Sequence, residues 1–186
     1  MQVEHEKTSS GLTIFLTGLS GAGKTTLAQM MAVKLAGNRG RKTTVLDGDE
    51  VRHYLAQELG FSKEHREINV RRVGFVAGEI TKHGGIAICA LIAPYAAGRQ
   101  KNRHLINKHG GYVEVYVSTP LTVCEMRDSK GLYAKARQGL IQQFTGLSDP
   151  YETPENPELI IDTSKLGPEE AVDQIINYLK KEGYVD

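Results

Sequence analysis

Two short stretches hold residues suited to chemistry. In "GLSGAGKTT", Gly18, Gly23, Lys24 and Thr25 fit the pattern G-x-x-x-x-G-K-S/T at every position. Glycines let backbone N–H groups turn inward and approach phosphate oxygens closely. A helix opening at the lysine adds its positive end. In such a loop Lys24 would reach the β- and γ-phosphates, and the Thr25 hydroxyl would ligate Mg²⁺. The second stretch is "LDGDEVR", where Asp47 and Asp49 flank Gly48 and Arg52 follows one turn on. One carboxylate can orient hydrated Mg²⁺ while the other accepts a proton from an acceptor hydroxyl. The same three residues can equally be a turn with a helix cap, because Asp caps helices well.

A third stretch, "LGFSKEHREINVRRVGF", points to the acceptor. Ser62 is placed as an N-cap, and Arg66, Asn69 and Arg72 are expected to share a helix face near its start, with Arg71 pointing elsewhere. Clustered guanidiniums bind planar or tetrahedral oxyanions in a bidentate manner. Such a run can also be a solvated charged face. Read as a site, it asks for an anionic acceptor carrying a hydroxyl.

These residues need elements to position them. "LTIFLT" (Leu12 to Thr17) reads as a strand entering the glycine loop, and Lys24 to Leu35 as the helix after it, with Leu27, Met30, Met31 and Leu35 at core spacing. "KTTVLD" (Lys42 to Asp47) is a second strand. Glu64 to Lys82 is a long helix whose apolar residues are Val70, Val73, Val76, Ala77 and Ile80. "GGIAICALIA" (Gly84 to Ala93), "YVEVYVS" (Tyr112 to Ser118) and "LIIDT" (Leu159 to Thr163) complete five strands, and a helix from Pro168 to Lys181 closes the chain. Alternating strands and helices predict an α/β domain with a parallel sheet. In such sheets ligands bind outside the carboxyl ends of the strands, which brings Asp47 and Asp49 near the glycine loop. Ser129 to Asn156 breaks the pattern, first a polar, mobile helix-loop and then a proline-rigidified return, and reads as a lid over about residues 129–147.

Composition excludes several classes. The 186 residues suit one domain, with the first 11 as a flexible lead-in and 12–186 as the folded unit. A net charge of +1 does not suggest a nucleic-acid partner. No apolar run approaches the roughly 20 residues that span a bilayer, and the polar start "MQVEHEKTSSG" is unlike a signal peptide. Cys89 and Cys124 are too few for a disulfide framework and read as reduced thiols in a cytoplasmic protein. There is no N-K-x-D motif of the kind that reads guanine in GTPase switches. A small α/β domain with a lid favours a kinase acting on a small molecule.

The chain resembles the adenylyl-sulfate (APS) kinases. The resemblance rests on "GLSGAGKTT", "LDGDEVR", "LGFSKEHREINVRRVGFVA", "IAPY", "TPLTVCEMRDSKGLYAKAR" and "FTGLSDPYETPENPE", and covers nearly everything from Leu12 onward. Details such as "HREINVRR" and "IAPY" are closest to the kinase portion of enzymes fused to sulfate adenylyltransferase. The lead-in is too short for a sulfurylase, so a stand-alone kinase and an excised domain both remain open. The resemblance implies a P-loop fold and transfer of the γ-phosphoryl group of MgATP to the 3′-hydroxyl of adenosine 5′-phosphosulfate. It implies Asp49 as base and Asp47 near Mg²⁺. ATP would be held by Gly18, Ser20, Gly21, Ala22, Gly23, Lys24, Thr25, Thr26 and Arg127. APS would be held by Asp49, Arg52, Phe61, Arg66, Asn69, Ile92, Ala93, Leu132, Gln143 and Phe144, the two phenylalanines sandwiching its adenine. Lys130 would stand near the transferring group. A homodimer, and association or fusion with ATP sulfurylase, are further implications.

Departures are few. Many members have Ser-Pro-Tyr where this chain has Ala93-Pro94-Tyr95, so no phosphoserine can form there and direct in-line transfer is expected. Glu50 replaces a common Asn, and His65 and Ile68 replace a common Asp and Glu; the last two bear on the support of Arg66. The rival readings are another small-molecule P-loop kinase, and a regulatory module that binds nucleotide without turnover.

Overall fold

Strand β1 (Leu12–Thr17) is buried along its whole length and sits at the centre of the sheet. The computed structural model describes residues 11–186, so the expected lead-in lies, but for Gly11, outside the described residues. After β1 come α1 (Lys24–Leu35), β2 (Thr43–Asp47), α2 (Gly48–Leu55), α3 (Lys63–Lys82), β3 (Ile86–Ala90) and α4 (Ala96–Ile106). They are followed by β4 (Gly111–Val117), α5 (Leu121–Arg127), α6 (Leu132–Arg137), β5 (Leu159–Ile161) and α7 (Pro168–Lys181). The five strands are all parallel, in the order β2-β3-β1-β4-β5.

Strand periodicity divides the core. Leu12, Ile14 and Leu16 of β1 face one layer, with Leu27, Met31 and Leu35 of α1 and Val172, Ile175 and Leu179 of α7. Phe15 faces the other layer, with Val70, Val73 and Ala77 of α3 and Ile106 of α4. On that same side Thr13 is satisfied by Thr81 of α3, their hydroxyls 2.7 Å apart. Caps explain where helices begin: Ser62 accepts the His65 N–H at 3.3 Å, and Pro168 opens α7.

Sequence and structure differ in several places. The third strand was expected to run from Gly84 to Ala93, but pairing stops at Ala90. Beyond it Ala93 has φ 44° and Pro94 follows, which ends extended pairing. Helix α4 has little apolar signature because the positions it buries are Arg99, Asn102 and Ile106. The fifth strand, expected over Leu159 to Thr163, covers only its three apolar residues, Leu159–Ile161.

Candidate active site

The phosphate loop joins β1 to α1. Gly18, Gly21 and Gly23 have φ of 152°, 75° and 101°. A side chain at Gly18 would stand 2.5 Å from the Val117 carbonyl of β4, so only glycine fits there. Lys24 lies within the loop and donates from Nζ to the carbonyls of Gly18 (2.9 Å) and Leu19 (2.6 Å). Burial pushes its ammonium down to about 8. A cation so poorly solvated gains strongly from a polyphosphate.

Strand β2 delivers Asp47 opposite that loop. Thr25 donates its hydroxyl to Asp47 Oδ2 at 2.6 Å, while Asp47 Oδ1 caps α2 by accepting the Asp49 N–H at 2.9 Å. The helix-cap reading of "DGD" is thus met by Asp47, whose other oxygen stands at Thr25 beside the loop. A hydroxyl and a carboxylate oxygen in contact form a hard donor set, which suits Mg²⁺. Among the described residues no cluster of three His, Cys, Asp or Glu could cage a metal alone. Mg²⁺ commonly completes its coordination with water and substrate phosphates. Asp49 pairs with Lys130, which reaches over from the segment after α5.

Two guanidiniums stand beyond Asp49. Arg52 donates to the carbonyls of Leu59 and Gly60, both at 3.0 Å, and lies over the Phe61 ring at 4.6 Å. Arg66, 5.5 Å from the same ring, donates to Phe61 O (2.8 Å) and Gln143 O (2.6 Å). Burial, and for Arg52 the nearby Arg66, lowers both guanidinium pKa values. Among the described residues the one carboxylate in reach of Arg66, Asp149, is 3.9 Å away, so positive charge here is incompletely paired. Asp149 also accepts the Tyr95 hydroxyl at 3.0 Å; burial first, and then this bond, pushes Tyr95 up to about 12. Asn69 is buried, and its Oδ1 has no hydrogen-bond partner among the described residues.

One cavity of about 1160 Å³ joins these groups. Of the expected site residues, Ser20, Gly21, Gly23, Lys24, Thr25, Thr26, Asp47, Asp49, Arg52, Phe61, Arg66, Asn69, Ile92, Ala93, Arg127, Lys130, Leu132 and Phe144 line it. Gly18, Ala22 and Gln143 do not. Gly18 and Ala22 form the back of the loop, where the Ala22 carbonyl accepts from Thr119 and Thr163. Gln143 contributes its carbonyl to Arg66 rather than a side chain. Arg72 is a correction: it binds Glu58 at 2.6 Å and Leu55 O at 2.7 Å, outside the cavity. Six residues along a helix is a turn of about 240° past one full revolution, so Arg72 cannot share the face of Arg66.

Sequence reading missed several wall residues: Pro94, Ile141, Thr145, Thr163 and Pro168. They bring no ionisable group, and only the folded chain places them. It also missed Tyr133, whose hydroxyl donates to Ser20 O at 2.8 Å and whose ring meets Phe144 edge-on at 4.9 Å. The substituted His65 keeps a local task, accepting the Gly60 N–H on Nδ1 at 2.8 Å. Arg66 leans on backbone carbonyls, so the departures at His65 and Ile68 leave its support in place.

A parallel sheet in this order, a complete phosphate loop and a joined acidic-basic cavity define a P-loop phosphotransferase of the small-molecule kinase class. The adenylylsulphate kinase family model matches residues 10–162, and the chain belongs to that family. It is 53% identical over 175 residues to the adenylyl-sulfate kinase of Synechococcus sp. (strain JA-2-3B'a(2-13)), covering 94% of this chain and 98% of that one. It is 48% identical over 181 residues to a sulfate adenylyltransferase of Aspergillus terreus, where 97% of this chain matches 32% of the fungal protein. Among solved structures, the Mycobacterium tuberculosis APS kinase CysC in complex with AMPPNP and APS superposes with TM-score 0.87 at 40% identity, covering 92% of this chain and 98% of that one.

Proposed function

We propose that this protein transfers the γ-phosphoryl group of MgATP to the 3′-hydroxyl of adenosine 5′-phosphosulfate, giving ADP and 3′-phosphoadenosine 5′-phosphosulfate. One observation carries the reading. A single cavity runs from the phosphate loop to a pair of under-neutralised arginines, and at about 1160 Å³ it exceeds what one nucleotide needs. The family relationship and the relatives' named activity support the same choice.

In this reading Gly18 to Thr26 cradle the donor phosphates, and Arg127, held by Gly21 O and Thr163, bounds the donor side. Arg52, Arg66 and Asn69 hold the phosphosulfate and ribose, while Phe61 and Phe144 clasp the acceptor adenine. Asp49 takes the proton of the 3′-hydroxyl as that oxygen bonds to the γ-phosphorus and the bridging P–O bond to ADP breaks. Lys24 and Lys130 neutralise charge on the transferring group. Thr25 and Asp47 would hold Mg²⁺ directly or through water, and the metal would supply charge neutralisation on the β- and γ-phosphates. Residues 129–147 act as a lid, which limits water attack on ATP. Ala93 bears no hydroxyl, so transfer is direct.

The protein acts as a homodimer in the cytoplasm, where Cys89 and Cys124 stay reduced, and its substrate comes from a sulfurylase that either associates with it or is fused to it. Among the described residues no helix is long and apolar enough to cross a membrane. The test is a coupled assay with MgATP against APS, adenosine, AMP and gluconate. Preferential 3′-phosphorylation of APS is expected. Equal use of another acceptor, or nucleotide binding without turnover, would overturn the reading.

A further inference from the structure

Arg99 of α4 lies behind the cavity wall, is 3% exposed and does not line the cavity. Its Nη1 donates to the Ala93 carbonyl at 2.7 Å and its Nη2 to the Glu152 carbonyl at 2.7 Å. Its Nε faces Glu114 Oε1 at 3.0 Å. One guanidinium thus ties together the turn after β3, the proline-rich return and strand β4. The turn and the return also meet directly. The Glu152 N–H donates to Pro94 O at 2.8 Å, and the Glu152 carboxylate accepts the Ala96 N–H at 2.6 Å.

Ala93 is the residue under strain. Its φ of 44° lies where a Cβ crowds the backbone. Such conformations persist only where the surroundings over-determine them, and they gather at functional sites. Ile92, Ala93 and Pro94 all line the cavity.

We propose that Arg99 is a positioning residue for the acceptor nucleotide. It holds the Ile92–Pro94 turn in its strained shape by gripping Ala93 O and Glu152 O, and so sets the wall against which the acceptor is seated. The inference rests on the acceptor reading given above. Neutralising Glu114 needs only a cation. Reaching two carbonyls on separate segments as well needs the planar fork of arginine, which lysine lacks.

Arg99→Lys separates these tasks, because it keeps a charge beside Glu114. Arg99→Met would leave the buried Glu114 with Arg103 alone, whose Nη2 meets Glu114 Oε2 at 3.1 Å, and so mixes a charge effect with the loss of the clamp. For Arg99→Lys the KM for APS is expected to rise about tenfold through the lost charge-assisted bond. The KM for ATP should stay near wild type. Adding Ala93→Gly, which adopts a positive φ without a steric cost, should recover part of the loss. Equal rises in both KM values, or an unchanged KM for APS, would overturn the proposal. A second measurement needs no substrate. Amide exchange at Glu152 should speed up in Arg99→Lys while amides of β1 do not change, and unaltered exchange at Glu152 also overturns the clamp. Wild type assayed alongside keeps the readings apart: failure to phosphorylate APS removes the assigned reaction, whereas exchange at Glu152 still tests the clamp.

Discussion

Lys24 is a buried cation whose proton is loosely held. Its folded-state value of about 8 lies below the ordinary 10.5, so the unfolded chain binds the proton more tightly between those limits. Stability should therefore rise with pH across that window, and the cost of burying the charge is fully present below it. In activity the sign reverses, because the charged form meets the phosphates. The kcat/KM for ATP should fall above about pH 8, the free-enzyme value. The kcat at saturating ATP should not show this limb, because bound phosphates hold the proton. An identical alkaline limb in both profiles would refute the assignment. Lys24→Met should abolish transfer without lowering Tm. Asn69 makes a complementary case. Its unpartnered Oδ1 contributes nothing to the free fold, so Asn69→Ala should leave Tm level while raising the KM for APS about tenfold. A lowered Tm with unchanged KM would show a structural amide instead. These two residue types were legible in the sequence, one by motif and one by helix spacing. Arg72 was misread because a six-residue step looks periodic on paper but turns away in three dimensions.

At the scale of elements, the site depends on how chain segments leave the sheet. Gly18→Ala would press a Cβ to 2.5 Å from the Val117 carbonyl, which belongs to a fixed neighbouring strand. A rigid backbone atom cannot give way, so nucleotide binding should be lost together with several degrees of Tm. Calorimetry with and without ADP checks both. Helix α6 is tethered more lightly. Asp128 accepts the N–H groups of Tyr133 and Ala134, both at 3.0 Å, and these bonds hold its carboxyl below the usual carboxylate range. Asp128→Ala should raise amide exchange at those two positions and weaken both substrates together, because Lys130 and Leu132 sit on the same segment. Loss confined to one substrate would show that the segment does not move as a unit. The sequence marked this segment as an irregular helix-loop, yet not the bounds of its helix, since six residues give too few turns for a periodic signal.

As a whole molecule, the protein joins the phosphate loop and the arginine pair in one cavity, and with the proposed donor and acceptor sites there, both nucleotides should stabilise the fold. ADP or APS at about a hundredfold its Kd should each stabilise the fold by about 2.7 kcal/mol, a shift of roughly 5–10 °C in Tm. A shift from ADP alone, with none from APS, would contradict the joined site. Scattering on the free protein tests the proposed dimer; a monomer's mass would overturn it. The sequence by itself determined the phosphate loop and the five strands, because local rules govern them: glycine conformations and strand alternation. Only the tertiary structure decided that α4 buries an arginine, that the third strand stops at Ala90, and that Arg66 rests on the carbonyls of Phe61 and Gln143. Those facts depend on contacts between residues far apart in the chain, and no periodicity along the sequence encodes a partner that only folding brings near.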